Sequence, residues 1–145
     1  MNVNPILLVE DNPDDQELAI RAFRKSNLPN EIVIASDGPQ ALDYLFGRGK
    51  YAGAEIPALP AVVLLDLKLP KMDGLEVLQE IRSNHRTKRL PVVIVTTSKE
   101  EQDLIRGYEL GANSYVQKPV DFNEFVDAIR QLGLYWLLLN ESPTQ

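Results

Sequence analysis

Residues 6–25 read ILLVEDNPDDQELAIRAFRK, and this stretch decides the fold. Ile6 to Val9 is an unbroken apolar run that stops at two acids, Glu10 and Asp11. A run without polar alternation predicts a strand buried on both faces. Asn12 then reads as an N-cap, Pro13 as the first helical residue, and Asp14 and Asp15 as first-turn acids facing the positive end of the helix dipole. Leu18, Ala19, Ala22 and Phe23 follow at helical spacing, and Leu28-Pro29 ends the helix. A buried strand that runs into a capped helix is the repeating unit of a parallel sheet.

The unit recurs along the chain. Residues 31–35 are β-branched and predict a second strand. Gly38-Pro39 opens a helix with Ala41, Leu42, Leu45 and Phe46 on one face. Residues 47–60 hold three Gly and two Pro and predict a loop longer than most connections. Residues 61–65 are apolar throughout, end at Asp66, and precede a helix over 74–82 carrying Leu75, Leu78 and Ile81. Residues 91–95 predict a strand ending at Thr96-Thr97. Ser98 and Glu101 form a capping box before Leu104, Ile105 and Tyr108, with Gly111 past the helix end. Residues 114–117 predict the last strand, ending at Lys118-Pro119. Asp121 and Glu124 cap a final helix with Phe122, Phe125, Val126, Ile129 and Leu132.

Five strands alternating with five helices predict an α/β fold, a doubly wound five-stranded parallel sheet with helices on both faces. The chain has 145 residues, 44% hydrophobic and 25% charged, which is enough for one domain with its own core and argues against disorder. There is no cysteine, which excludes disulfides, zinc–thiolate sites, iron–sulfur clusters and a thiol nucleophile. No stretch reads as a leader or a membrane span, so a cytoplasmic location without membrane attachment is expected. The net charge of −6 disfavours direct nucleic-acid binding.

Ligands of such sheets bind beyond the carboxyl ends of the strands. Those ends are Glu10-Asp11, Asp66, Thr96-Thr97 and Lys118. Carboxylates converging within about 4 Å repel by several kcal/mol per pair at an effective dielectric near 20. A divalent cation resolves this, and an all-oxygen donor set suits Mg²⁺. Asp11 and Asp66 are the expected direct ligands, with Glu10 acting through a water and a backbone carbonyl just after Asp66 completing the set. Mg²⁺, Lys118 and Thr96 around one carboxylate also make a phosphoryl-binding arrangement with Asp66 as nucleophile.

Taken singly, each residue has a plainer reading. Asp14 and Asp15 serve as helix-start acids. Glu10-Asp11 reads equally well as a solvated strand end, Lys118 as a surface lysine, and Thr96 as a strand hydroxyl bonded to backbone. Tyr115 reads as a half-buried strand aromatic. His85 lies in a basic run, and Arg86, Lys88 and Arg89 most simply form a solvated patch. The joint placement at strand tips carries the argument.

The segments ILLVEDNPDD (6–15), VVLLDLKLPKMDG (62–74), VVIVTTS (92–98) and ANSYVQKP (112–119) resemble, in order, the receiver domain of two-component response regulators. DYLFGRGKYAG (43–53) and the stretch before Leu59-Pro60 resemble the short regulators that partner cyanobacterial and bacterial phytochromes. The resemblance implies a flavodoxin-like (βα)5 receiver. In it Asp66 accepts a phosphoryl group from a histidine kinase, which a phytochrome would supply. Asp11 and Asp66 bind Mg²⁺ by side chain and Lys68 by its backbone carbonyl, with Glu10 acting through water. Thr96 and Lys118 contact the phosphoryl oxygens, and Thr96 with Tyr115 forms the switch pair. Lys68 and Ser98 differ from the commonest residues at positions that tune phosphoryl lifetime in the family. Such a protein is a phosphoacceptor in signalling rather than an enzyme, although it promotes its own phosphorylation and dephosphorylation.

Residues 134–139 (LYWLLL) are apolar all round, more than one surface helix buries against its own domain. They read either as a tail folded back on the core or as a partner surface. Tyr135, Trp136 and Leu137 are the expected anchors of a homodimer. The whole chain is expected to be one receiver domain, 1–145, with 133–145 a C-terminal extension and no output domain. A flavin-binding protein of the same architecture needs a phosphate loop after the first strand, where this chain has four acids among residues 10–15. A haloacid-type phosphatase wants a second Asp where Lys68 stands. The serious rival is a pseudo-receiver that binds partners without phosphorylation.

Overall fold

The apolar run Ile6–Val9 forms β1, and all four of its residues are buried. The computed structural model describes residues 4–28, 30–53, 59–96, 109–112, 114–117 and 122–132. With β2 (Ile32–Ala35), β3 (Val62–Leu65), β4 (Val92–Thr96) and β5 (Ser114–Gln117), β1 builds a parallel sheet ordered β2-β1-β3-β4-β5. The chain winds outward from β1 to β2, then crosses back to β3. The reversal of direction lies between β1 and β3, where doubly wound sheets place their ligands.

The predicted burial of the strands on both faces holds. Leu7 and Val9 pack with Ala41, Leu42 and Leu45 of α2 (Gly38–Phe46) and with Leu75, Leu78 and Ile81 of α3 (Gly74–Ser83). Ile6 and Leu8 face the other way. They pack with Ala19, Ala22 and Phe23 of α1 (Pro13–Lys25) and with Phe125, Val126 and Ile129 of α4 (Phe122–Leu132). Successive strand residues point to opposite faces, so each strand fills two cores at once.

The helix starts are locally encoded. Asn12 Oδ1 accepts from Asp14 N at 2.8 Å and Asp15 N at 3.2 Å, as the sequence pattern implies. Asp37, which the pattern did not single out, caps α2 by accepting from Gln40 N at 2.8 Å, and Asp73 caps α3 by accepting from Glu76 N at 3.1 Å. The loop at 47–60 is not wholly irregular. Gly49–Tyr51 makes a 3₁₀ turn, with the Tyr51 ring edge-on to Tyr44 at 5.3 Å. Gly111 has φ of 87°, fitting its predicted place past a helix end. The predicted helix from Ser98 to Tyr108 and the 133–145 extension lie outside the described residues.

Gly74 shows how tightly the β3–α3 connection closes. A Cβ there would lie 2.2 Å from the Asp66 carbonyl oxygen and 2.7 Å from Leu67 Cα. Both are backbone atoms and cannot step aside. Gly74→Ala is therefore expected to destabilise the protein by about 2–3 kcal/mol. The measurement is the urea midpoint at constant m-value, and an unmoved midpoint would mean the connection is looser than this packing implies.

Candidate metal centre

β1 and β3 are neighbours in register, Val9 beside Leu65. The residues that follow them therefore leave the sheet at the same level. Glu10 N donates to Ala35 O at 3.0 Å and Asp66 N to Val9 O at 3.1 Å, so the ladder continues one step past the strands. As a result one carboxylate oxygen from each of Glu10, Asp11 and Asp66 lies within 4.8 Å of the others. Glu10 and Asp66 are 4% and 7% exposed, whereas Asp11 is open to solvent.

Local bonds hold each acid in place. Asn12 N donates to Glu10 Oε2 at 3.1 Å, and Gln16 Nε2 on the first turns of α1 donates to the Glu10 carbonyl at 2.6 Å. Lys68 N donates to Asp66 Oδ1 at 2.9 Å, an Asx-type turn that orients the carboxylate. Gly74 N closes the loop by donating to Leu67 O at 2.9 Å. Between them Lys71 sits at φ 69°, an uncommon backbone for a side-chain-bearing residue. Its ammonium lies 3.3 Å from Asp37 Oδ2, tying the loop to the N-terminus of α2.

Three carboxylates at this spacing repel by about 3 kcal/mol per pair at an effective dielectric near 20. The donors are all oxygen, two of them buried, which fits a hard divalent cation of the Mg²⁺ or Mn²⁺ kind. A cavity of about 390 Å³ opens beside them, lined by Asp11, Leu67, Lys68, Leu69, Pro70, Asp73 and Leu75.

Glu10, Asp11 and Asp66 thus come together as expected, and Lys68 lines the adjoining cavity. Thr96 ends β4, the strand beside β3, and Tyr115 lies in β5; both are placed here by backbone alone. Lys118, Tyr135, Trp136 and Leu137 lie outside the described residues. Gln16 and the Asp37–Lys71 pair were not foreseen. A helix-start pattern at Asp37-Gly38-Pro39 was available for the first of that pair. Nothing in the sequence marks Gln16, because its acceptor is a backbone carbonyl.

The family model of the response regulator receiver domain matches residues 6–130. The chain belongs to this family. The probable methanogenesis regulatory protein FilR2 of Methanothrix harundinacea is 44% identical over 138 residues, 95% of this chain and 86% of FilR2. Response regulator Rcp1 of Synechocystis is 40% identical over 132 residues, 91% of this chain and 88% of Rcp1. Among solved structures, the Mn²⁺-bound form of Rcp1 superposes with a TM-score of 0.84 at 38% identity, covering 97% of this chain and 99% of that one. The phosphorylated cyanobacterial phytochrome response regulator RcpA gives 0.85 at 39%, covering 97% and 98%. The bacteriophytochrome response regulator AtBRR gives 0.78 at 56%, covering 97% and 100%. The fold is the flavodoxin-like α/β receiver fold, and the receiver domain of Pseudomonas aeruginosa PA1611, 26% identical with a TM-score of 0.71, holds a magnesium ion in its active-site cleft.

Mg²⁺ is expected to raise the Tm of this receiver and EDTA to reverse the rise. At a hundredfold excess over Kd the gain is about 2.7 kcal/mol. Asp11→Asn should be more stable than the parent in EDTA, because one repulsion is gone, yet gain nothing from Mg²⁺. An equal Mg²⁺ increment in that variant would remove Asp11 from the site. Gln16→Ala is expected to weaken Mg²⁺ binding by about tenfold in calorimetric titration through misplacement of the Glu10–Asp11 turn.

Proposed function

We propose that this receiver accepts a phosphoryl group on Asp66 from a sensor histidine kinase in a Mg²⁺-dependent reaction. The observation that carries the reading is the convergence of Glu10, Asp11 and Asp66 at the carboxyl ends of β1 and β3. Asp11 and Asp66 hold the cation by side chain, Lys68 by its backbone carbonyl, and Glu10 through a water. A bound cation supplies positive charge for the oxygens of the incoming phosphoryl group. An Asp66 carboxylate oxygen attacks phosphorus as the bond from phosphorus to the kinase's histidine nitrogen breaks. The products are an acyl phosphate on Asp66 and a free imidazole. The bond from Lys68 N to Asp66 Oδ1 holds the carboxylate for that attack. Lys118 and Thr96 take the phosphoryl oxygens, and the 390 Å³ cavity beside Asp11 gives the donor room to enter.

The reading extends to a conformational switch within the receiver. Thr96 and Tyr115 form the switch. In support, β4 and β5 are neighbours, with Ile94 beside Tyr115 and Thr96 two residues on. The added charge biases this pair, and the face formed by β5 and α4 passes the change to a partner. The likeness to the bacteriophytochrome response regulator AtBRR and the cyanobacterial phytochrome response regulator RcpA supports a phytochrome as the kinase. The apolar run with Tyr135, Trp136 and Leu137 is assigned to a homodimer interface. Among the described residues no helix is long and apolar enough to cross a membrane. A binding module that works without phosphorylation has no use for three converging carboxylates, so that reading is the weaker.

With Mg²⁺ and acetyl phosphate, intact-mass measurement should show one acid-stable, base-labile phosphoryl group, absent from Asp66→Asn. Equal labelling of that variant would move the acceptor elsewhere. Light scattering should give a dimer mass for the parent and a monomer mass for Trp136→Asp and Leu137→Asp. One mass for all three would rule out the tail as the interface.

A further inference from the structure

Two basic segments that the phosphoryl chemistry does not use meet at the end of the fold opposite the acidic cluster. The strands run parallel, so the C-terminal ends of α2 and α3, and the segments leading into β3 and β4, lie beyond the amino edge of the sheet. Arg48 and Lys50 follow α2; His85, Arg86, Lys88 and Arg89 follow α3; all six are exposed. Arg86 joins the two segments, its guanidinium Nη1 donating to the Leu45 carbonyl in the last turn of α2.

The platform is firmly built. Arg82 Nη1 donates to Lys88 O at 3.2 Å and Leu90 O at 2.7 Å. The fully buried Thr87 donates through Oγ1 to Ile81 O at 2.6 Å. Residues 47–53 and 81–91 contain no Asp or Glu, in a chain whose net charge is −6. Among the described residues Arg48, Lys50, Lys88 and Arg89 form no ion pair with a carboxylate. Two of the cations rest on aromatic rings instead, Arg48 4.9 Å from the Phe46 centroid and Lys50 5.3 Å from that of Tyr51. Tyr51 is in turn braced edge-on by Tyr44. Such cation–π seats hold the cations in place while leaving their charge unneutralised.

We propose that this surface docks an acidic segment of a partner protein. Charge complementarity calls for an anion, and the setting favours a short one. The Asp43 carboxylate on α2 borders the patch beside Gly49, and the domain as a whole is acidic. A nucleic acid carries its charge along its whole length and gains affinity by neutralising many phosphates. It would run off the patch onto negative surface, whereas an Asp/Glu-rich segment matches the patch in extent. The docking does not depend on phosphorylation of Asp66, which lies at the other end of the strands.

The test is fluorescence anisotropy of a labelled oligoglutamate peptide titrated with the full chain. The expected result is saturable binding that weakens with salt and falls by roughly tenfold or more in the combined variant Arg48→Glu, Lys50→Glu, Lys88→Glu, Arg89→Glu. A charge-matched control, with Arg21, Arg24, Lys25 and Arg130 each changed to Glu, should retain clearly tighter binding than that variant. Circular dichroism and labelling by acetyl phosphate report that each variant is folded. Should the fourfold variant not fold, Lys88→Gln with Arg89→Gln is expected to lose binding in the same direction. No binding by the parent, equal loss in the control, or tighter binding of oligothymidylate or phosphatidylglycerol vesicles than of oligoglutamate would each overturn the proposal.

Discussion

The rest of the molecule is organised around holding three like charges together. Glu10, Asp11 and Asp66 come from stretches more than fifty residues apart in sequence, yet their oxygens lie within 4.8 Å of one another. Left to themselves such groups separate. They stay because β1 and β3 are locked in parallel register by a ladder whose side chains are almost wholly buried. The hydrophobic cores on the two faces supply the free energy that this repulsion opposes. The acidic cluster is thus a local strain carried by a global fold, and a divalent cation bound there would relieve it.

Around the cluster, backbone hydrogen bonds and caps position the carboxylates. Asn12 serves twice, capping α1 with its side chain and holding Glu10 with its N–H. Gln16 reaches back to the Glu10 carbonyl, and Lys68 N holds Asp66. The loop from Asp66 to Gly74 is closed so tightly that no side chain fits at Gly74. Lys71 and Asp37 link this loop to α2, the helix whose far end carries the basic platform. One acidic end and one basic end therefore share a helix and two strands, which gives the domain a chemical polarity along its strands.

Much of this was legible in the chain. The unalternating runs at 6–9 and 62–65 marked strands buried on both faces. The helical spacing of Leu75, Leu78 and Ile81 marked α3, and Asn12-Pro13-Asp14-Asp15 marked the start of α1. Each of these signals is local, set by a few residues and their neighbours. Asp37 is a weaker local signal than the Gly38-Pro39 that follows it, and Gln16 leaves no pattern because its side chain is aimed at a main-chain carbonyl.

The chain by itself determined the alternation of strands and helices, the two-faced cores and the acids at the strand ends, since periodicity and capping chemistry act over a few residues. Only the tertiary structure decided which strand tips are neighbours, because strand order is a long-range pairing that no local window contains. It decided equally that Arg48 and Lys50 share a surface with Lys88 and Arg89. That meeting depends on Arg86 reaching Leu45, a bond between residues 41 positions apart.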